Sequence, residues 1–148
     1  MKRTRVLLAD DHPQIRELLR VILEPEFKVI GTAEDGETLL QYAQSLQPDV
    51  IISDINMPKV DGLQAARLLK DIAPRTRVIF LTAHAEPSYV AAAVAAGAVG
   101  YLIKGATTDL AGSLRSMIDS VRAQKVTPCV PPAQARQSPS PTELRPSR

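Results

Sequence analysis

The sequence is poor in aromatic residues: among its 148 residues are two Phe, three Tyr and no Trp. Proteins that bind single-stranded nucleic acid without sequence preference stack the bases on aromatic side chains, so this class is disfavoured. The single cysteine, Cys129, excludes an internal disulfide, and no group of residues has the spacing of a structural zinc site. We therefore expect an aliphatic core and a reducing, cytoplasmic setting.

Long apolar runs and an excess of one charge are also missing. No stretch approaches the roughly 18 apolar residues of a membrane helix, and the apolar run after the basic start of the chain is too short for a signal peptide. Residues 1–125 contain 15 basic and 15 acidic side chains, whereas residues 126–148 contain three Arg and one Glu. Because the balanced part lacks the basic excess of DNA-binding domains, we expect this chain neither to bind DNA directly nor to enter a membrane.

The sequence does contain five short apolar segments, each followed by a helical pattern. This alternation predicts an α/β fold in which helices cover both faces of a parallel sheet, although it does not reveal the strand order. The predicted strands span 4–9, 27–33, 50–54, 77–82 and 99–103. The predicted helices begin at Pro13, at Gly36, after Asp61, at Pro87 and near Thr107. In the first helix the spacing predicts one buried face made of Ile15, Leu18, Leu19, Ile22 and Leu23.

The pattern stops near Ala123. Six of the twelve prolines lie between Pro128 and Pro146, with Ser, Gln and Arg among them. Such a segment cannot bury enough apolar surface to offset the entropy of ordering it. We therefore predict a folded domain over residues 1–124 and a Pro/Ser-rich disordered tail or truncated linker over residues 125–148.

Polar side chains follow four of the predicted strands. Asp10 and Asp11 follow the first strand, Asp54 ends the third, Thr82 ends the fourth and Lys104 follows the fifth. In open parallel sheets, ligands bind beyond the carboxyl ends of the strands, so we expect these residues to converge. Converging carboxylates repel one another unless a hard cation such as Mg²⁺ is bound. An ammonium and a hydroxyl beside them suit phosphoryl oxygens, which predicts a site that holds phosphate on Asp54.

Each of these residues has a simpler interpretation when it is taken alone. Asp54 and Thr82 are of types that cap turns after strands, and Asp10–Asp11 is an acidic pair that favours a helix dipole. Lys104 alone would be a solvated surface charge. Tyr101, three residues earlier, is compatible with an ordinary half-buried strand aromatic.

In order and spacing, the motifs resemble the receiver domain of bacterial two-component response regulators. The matching motifs lie within residues 4–123 and comprise Asp10–Asp11, the run Asp54-Ile-Asn-Met-Pro-Lys-Val-Asp-Gly62, Thr82–Ala83 and Tyr101–Lys104. Each motif is common alone, but the ordered set is specific. The resemblance implies a flavodoxin-like (βα)5 sheet with strand order 2-1-3-4-5. It also implies that Asp54 accepts a phosphoryl group from a sensor histidine kinase.

The resemblance implies a metal site and two residues that control phosphate lifetime. Asp11, Asp54 and the backbone carbonyl of Asn56 would bind Mg²⁺ directly, and Asp10 would bind it through water. Asn56 and His84 each lie two residues after a site residue, where side chains of the family influence how fast water reaches the phosphate. Neither of the two histidines is interpreted as a metal ligand, because carboxylates dominate the site.

The resemblance further implies a switch. Lys104 would pair with the phosphate, Thr82 would move to hydrogen-bond it, and Tyr101 would turn inward, which would alter the surface of the fourth helix, fifth strand and fifth helix. One position departs from the family, which often has Pro after the Lys, in a cis bond; here Gly105 follows. Because a non-Pro cis peptide costs roughly 3 kcal/mol, the isomer of this bond is left open.

The residues near Asp10 and after Lys104 resemble the NarL/FixJ-like subgroup, whose receivers usually precede a LuxR-type helix-turn-helix. No such module is recognised after residue 124, so a free-standing receiver, a natural truncation and a cut at the linker stay open. The expected function is control of an output partner or of transcription. Dimerisation on phosphorylation is a further open question.

Two other functions share parts of this pattern. Haloacid-dehalogenase-like phosphatases also use an Asp nucleophile, Mg²⁺, a Thr or Ser and a Lys. They place the nucleophile after the first strand and a second Asp two residues later, whereas here the candidate follows the third strand and the later residue is Asn56. A purely structural module would not need all the site residues. We therefore expect no enzyme activity beyond the chain's own phosphotransfer and slow self-dephosphorylation.

Overall fold

The computed structural model describes residues 3–105 and 109–123, which form five strands alternating with five helices. The strands are β1 (Arg5–Ala9), β2 (Lys28–Ala33), β3 (Val50–Ser53), β4 (Arg77–Thr82) and β5 (Gly100–Ile103). The helices are α1 (Pro13–Leu23), α2 (Gly36–Leu46), α3 (Gly62–Ile72), α4 (Pro87–Ala95) and α5 (Leu110–Ala123). The predicted tail and Thr107, the predicted start of the last helix, lie outside the described residues.

The strands form one parallel sheet in the order β2-β1-β3-β4-β5. Both the α/β class and the strand order implied by the resemblance are therefore confirmed. β3 is the middle strand, with β1 on one side and β4 on the other. Asp54, which follows β3, therefore lies between the residues that follow β1 and those that follow β4.

Two hydrophobic cores cover the two faces of the sheet. Consecutive strand residues point to opposite faces, so Leu7 packs with α2, α3 and α4, while its neighbours Val6 and Leu8 pack with α1 and α5. Burial on both faces explains why the strands read as continuous aliphatic runs rather than as alternating patterns. Both cores are almost entirely aliphatic.

The predicted buried face of α1 is wrong at one position. Leu19 and Leu23, four residues apart, are buried, and Ile15 and Ile22 pack beside them. Leu18 is 47% exposed, because the sheet covers a narrower stripe of the helix than the apolar residues span. The sequence period identified the helix but overestimated how much of it is buried.

The ends of the helices follow local sequence signals. The Asp35 side chain accepts a hydrogen bond from the Thr38 backbone N–H at 2.7 Å and so caps α2, and Asp61 caps α3 in the same way. Gly97, at a φ of +101°, follows the end of α4, as predicted from its glycine. Within the described ranges, none of the helices combines the length and apolar character that a membrane crossing requires.

Replacing Asp35 with Ala tests the cap of α2. The variant loses the acceptor for the Thr38 amide, so we expect the free energy of unfolding at pH 7 to fall by about 1 kcal/mol in urea denaturation. That hydrogen bond holds the pKa of Asp35 below its ordinary value, although burial acts in the opposite direction. A lowered pKa means that the carboxylate stabilises the fold above its ordinary pKa and loses this effect as the pH falls through the folded-state pKa. The difference in stability between the two proteins should therefore begin to shrink below about pH 4 and disappear only below the folded-state pKa.

The control is Glu34→Ala, which removes an exposed carboxylate one residue earlier and should change stability by less than about 0.5 kcal/mol. Equal losses in both variants, or a difference that widens in acid, would contradict the capping role.

Candidate functional site

The carboxyl ends of the strands bring the predicted site residues to one edge of the sheet. The hydrogen-bond ladder continues one residue past the strands: the Asp10 amide donates to Ala33 O, the Asp54 amide to Ala9 O and the Lys104 amide to Thr82 O, at 2.7–3.0 Å. These bonds hold the three backbones in register at the point where their side chains leave the sheet. The expected convergence of Asp10, Asp54 and Lys104 is observed.

The Lys104 ammonium joins two buried carboxylates. Its Nζ lies 2.8 Å from Asp10 Oδ2 and 3.0 Å from Asp54 Oδ2. Asp10 is 1% exposed and Asp54 is 6% exposed, so neither can rely on bulk water for its charge. Burial lowers the pKa of Lys104, but the hydrogen bonds to Asp10 and Asp54 outweigh that effect and raise it overall. Lys104 is therefore a cation at neutral pH.

Asp11 completes an acidic cluster with the two buried aspartates. Asp10, Asp11, His12 and Asp54 each place one potential ligand atom so that all four atoms lie within 4.8 Å of one another. Asp11 is exposed, so the cluster opens to solvent on that side. Several carboxylate oxygens gathered beside an opening are a donor set that suits a hard cation such as Mg²⁺. The ligand role of the Asn56 carbonyl stays a prediction.

Sequence reasoning gave His12 no place in the site, yet the structure puts it against both adjacent aspartates. Its Nδ1 lies 3.0 Å from Asp10 Oδ1 and 3.1 Å from Asp11 Oδ1, and its backbone amide donates to Asp10 Oδ1 at 2.9 Å. An Asp that accepts from the amide two residues later forms a local turn. The Asp-Asp-His-Pro run is compatible with such a turn but does not by itself specify it.

The loop after β4 links the remaining predicted residues. Thr82 is fully buried, and its Oγ1 accepts a hydrogen bond from the His84 amide at 3.4 Å. The Tyr101 hydroxyl donates to the His84 carbonyl at 2.8 Å, and its ring meets Phe80 edge-on. Burial, and then the negative charge of Glu86, raise the pKa of Tyr101, so this donor keeps its proton at neutral pH. Thr82 and Tyr101 are thus joined through one residue, His84.

Asn56 and His84 touch each other, which sequence reasoning did not predict. The Asn56 side-chain nitrogen lies 2.7 Å from His84 Nε2, and the imidazole stacks on Tyr89 with the ring centres 4.0 Å apart. The two residues that the resemblance assigned separately to phosphate lifetime therefore form one contact. Their separation of 28 positions in the sequence carried no signal for it.

The backbone around the site is tightly constrained. The Gly62 amide donates to Ile55 O at 2.7 Å, and a Cβ at Gly62 would overlap the carbonyl oxygen of Asp54. The start of α3 can therefore approach β3 only with glycine at this position. Among the described residues no peptide bond is cis, so the Lys104–Gly105 bond is trans.

The family profile of the response regulator receiver domain matches residues 6–118. The transcriptional regulatory protein DegU of Brevibacillus brevis is 41% identical over 109 residues, which is 72% of this chain and 46% of that protein. The chain spans about half the length of the curated relatives it matches.

Two solved structures show the same fold at substantial identity. The signal receiver domain of the putative response regulator NarL from Mycobacterium tuberculosis has a TM-score of 0.76 and 32% identity, covering 84% of this chain and all of that one. The isolated REC domain of RcsB from Salmonella enterica serovar Typhimurium, solved in the presence of the phosphomimetic BeF3-, has a TM-score of 0.76 and 25% identity, covering 91% and 98%.

Substitution of Gly62 by Ala tests the close approach of α3 to Asp54. The added methyl group must displace backbone, so we expect a loss of about 1–3 kcal/mol in the free energy of unfolding, despite the better helix propensity of Ala. Gly31→Ala is the matched control, because its Cβ would meet the flexible end of Leu7 at 3.3 Å rather than backbone. Thermal or urea unfolding that ranks the control as the more damaged variant would refute this packing argument.

Proposed function

This chain belongs to the response regulator receiver domain family, and we propose that it switches an output by carrying a phosphoryl group on Asp54. The observation that carries the proposal is the position of Asp54 on the middle strand. Asp10 and Asp11 follow the strand on one side, and the strand on the other side ends at Thr82. Lys104 reaches over to contact Asp54 itself. Asp54 is the only carboxylate among these residues with acidic neighbours on one side and phosphate-binding groups on the other.

The contacts of the other two aspartates favour the same choice. Both oxygens of Asp10 are engaged, Oδ1 with His12 and Oδ2 with Lys104, and the side chain is almost completely enclosed. Asp11 lies at the solvent side of the cluster and contacts His12. Asp54 has Oδ1 held by the Ile55 amide at 2.6 Å, which orients the carboxylate and places Oδ2 at 3.0 Å from the Lys104 ammonium.

The proposed reaction is a phosphoryl transfer from a phosphohistidine of a sensor kinase. A carboxylate oxygen of Asp54 forms the new bond to phosphorus while the bond from phosphorus to the imidazole nitrogen breaks. The kinase histidine takes a proton from solvent and leaves as neutral imidazole, and Asp54 becomes an acyl phosphate. Lys104, already hydrogen-bonded to Asp54, is positioned to neutralise the charge on the transferred group.

The acidic cluster fits the Mg²⁺ that the family implies. Asp11, Asp54 and the Asn56 carbonyl would hold the ion directly and Asp10 through water. When bound, the ion would offset the repulsion among the carboxylates and the negative charge of the phosphoryl oxygens. The chain's own part is to hold three aspartates within reach of one point.

Thr82 and Tyr101 both hydrogen-bond to the backbone of His84, and this connection supports the proposed switch. A dianionic phosphate on Asp54 would attract Lys104 and a hydroxyl donor, and Thr82 ends the adjacent strand. Movement of Thr82 would disturb its bond to the His84 amide, and Tyr101 is bound to the carbonyl of that same residue. The change would thereby reach the surface of α4, β5 and α5. Asn56 and His84 would control how fast water reaches the phosphate.

The names of the relatives suggest the output. DegU is a transcriptional regulatory protein, and we propose that the switched surface of this chain likewise serves transcriptional control in the cytoplasm, through a partner or through pairing of two phosphorylated copies. The relatives are regulators rather than conventional enzymes. Turnover is proposed to be limited to the transfer onto Asp54 and its slow hydrolysis.

Incubation with acetyl phosphate and Mg²⁺ tests the acceptor. We expect intact-protein mass spectrometry to detect one added phosphoryl group, which hydroxylamine removes because it cleaves acyl phosphates. Asp54→Asn should abolish the addition, since an amide cannot form an acyl phosphate. Asp71→Asn, an equivalent change at an exposed position of α3, should label normally. Labelling that survives Asp54→Asn would assign the phosphate elsewhere.

Thermal unfolding with and without Mg²⁺ tests the metal site. Because the ion binds the folded state, millimolar Mg²⁺ should raise the Tm of the wild-type protein, and EDTA should reverse the rise. Asp11→Asn removes one proposed ligand and should weaken the apparent affinity roughly tenfold or more. The matched control is Asp119→Asn, an exposed change on α5 that should retain the wild-type response. Equal Mg²⁺ responses in Asp11→Asn and wild type would remove Asp11 from the site.

A further inference from the structure

A guanidinium group from α1 reaches back to the end of β1. Arg16, in the first turn of the helix, donates from Nη1 to the backbone carbonyl of Asp10 at 2.7 Å. Its backbone amide donates to the carbonyl of His12 at 3.1 Å, so Arg16 holds the turn between β1 and α1 through both its side chain and its backbone. The acidic cluster takes three of its members from this turn, and Arg16 is not one of them.

With this bond, all three oxygen atoms of Asp10 have a partner. The His12 amide donates to Oδ1, the Lys104 ammonium lies 2.8 Å from Oδ2, and Arg16 binds the carbonyl oxygen. The amide of Asp10 extends the sheet ladder by donating to Ala33 O. Asp10 is therefore fixed in its backbone as well as in its side chain.

The neighbouring carboxylate of Asp11 is held less directly. Its side chain is 34% exposed, and within the described ranges its one hydrogen-bond or ion-pair partner is the His12 imidazole, at 3.1 Å. A carboxylate with so few contacts takes its direction from the backbone that carries it. The carbonyl that Arg16 binds belongs to the planar Asp10–Asp11 peptide unit, so fixing this oxygen also fixes the amide and Cα of Asp11.

We propose that Arg16 is a positioning residue for Mg²⁺. By holding the Asp10–Asp11 peptide, it keeps the Asp11 carboxylate within 4.8 Å of the other potential ligand atoms. This role rests on the metal site of the proposed function. Electrostatics alone gives Arg16 the opposite effect, because a positive charge beside the carboxylates repels a divalent cation. Removal of the guanidinium group therefore weakens Mg²⁺ binding if the role is positional, and strengthens it if only the charge matters.

Mg²⁺ titration of the full chain, followed by the rise in Tm, tests this role without a phosphoryl donor. Arg16→Met has an apolar side chain of similar length and should weaken the apparent Mg²⁺ affinity roughly tenfold. Arg16→Lys keeps the charge and a donor and should bind Mg²⁺ within about threefold of wild type. The matched control is Arg20→Met, which removes the same charge one turn later on α1, where the side chain contacts Glu24. It should stay within about twofold of wild type.

Labelling with acetyl phosphate gives a second measurement. Arg16→Met should need roughly tenfold more Mg²⁺ for half-maximal labelling. The rate at saturating Mg²⁺ should stay close to that of wild type, because Asp54 and Lys104 are unchanged. This separation of Mg²⁺ requirement from maximal rate distinguishes a positioning role from general damage to the fold.

Three results would overturn the proposal. A lower Tm without metal, combined with wild-type Mg²⁺ affinity, would make Arg16 a purely structural residue. Tighter Mg²⁺ binding by Arg16→Met would reduce its role to charge. In both cases the wild type still binds Mg²⁺, so the proposed metal site survives. A wild-type protein whose Tm does not respond to Mg²⁺ would instead remove the metal site and the role of Arg16 together.

Discussion

The ammonium of Lys104, shared between the buried carboxylates of Asp10 and Asp54, is the interaction on which the carboxyl edge of the sheet depends. Lys104 lies 94 positions from Asp10 and 50 from Asp54 along the chain. Buried carboxylates without a partner would be strongly destabilising, so the fold that brings them together needs this cation in the same place. These two contacts also hold the Lys104 ammonium where it could bind an anionic group attached to Asp54. The phosphoryl group that we propose for Asp54 would meet a lysine that is already within hydrogen-bonding distance.

The periodic part of the fold was accessible from the sequence because both cores depend on short-range patterns. Continuous aliphatic runs indicated strands that are buried on both faces, and Pro, Gly and Asp marked most helix ends. Convergence of Asp10, Asp54 and Lys104 followed from one topological rule about strand ends. The extent of burial was less accessible: Leu18 belongs to the apolar arc of α1 but lies beyond the stripe that the sheet covers. Hydrophobic spacing therefore predicts that a helix forms, but it does not predict how wide a stripe of that helix the sheet covers.

Side-chain contacts between loops could not be predicted from the sequence. His12 turns back onto Asp10 and Asp11, and Asn56 meets His84 across two separate loops. Neither contact has a period, and both depend on turn geometry that many sequences could adopt. The need for glycine at position 62 could not be predicted for a related reason. A Cβ there would overlap the carbonyl oxygen of Asp54, which belongs to a different segment.

The fold separates charges that are balanced along the chain. Three aspartates gather at the carboxyl edge of the sheet, and four arginines at its amino edge. In a parallel sheet with crossover helices, helix amino termini lie at the first edge and helix carboxyl termini at the second, so each cluster also matches the local helix dipoles.

The phosphoryl group can be assigned to one residue by chemical reduction. Borohydride reduces an aspartyl phosphate to homoserine, and this conversion can be mapped by tandem mass spectrometry of proteolytic peptides after treatment with acetyl phosphate and Mg²⁺. We predict conversion at Asp54 and at no other aspartate. Conversion at Asp10 or Asp11, or a phosphoryl group that resists reduction because it is held by another residue type, would contradict it.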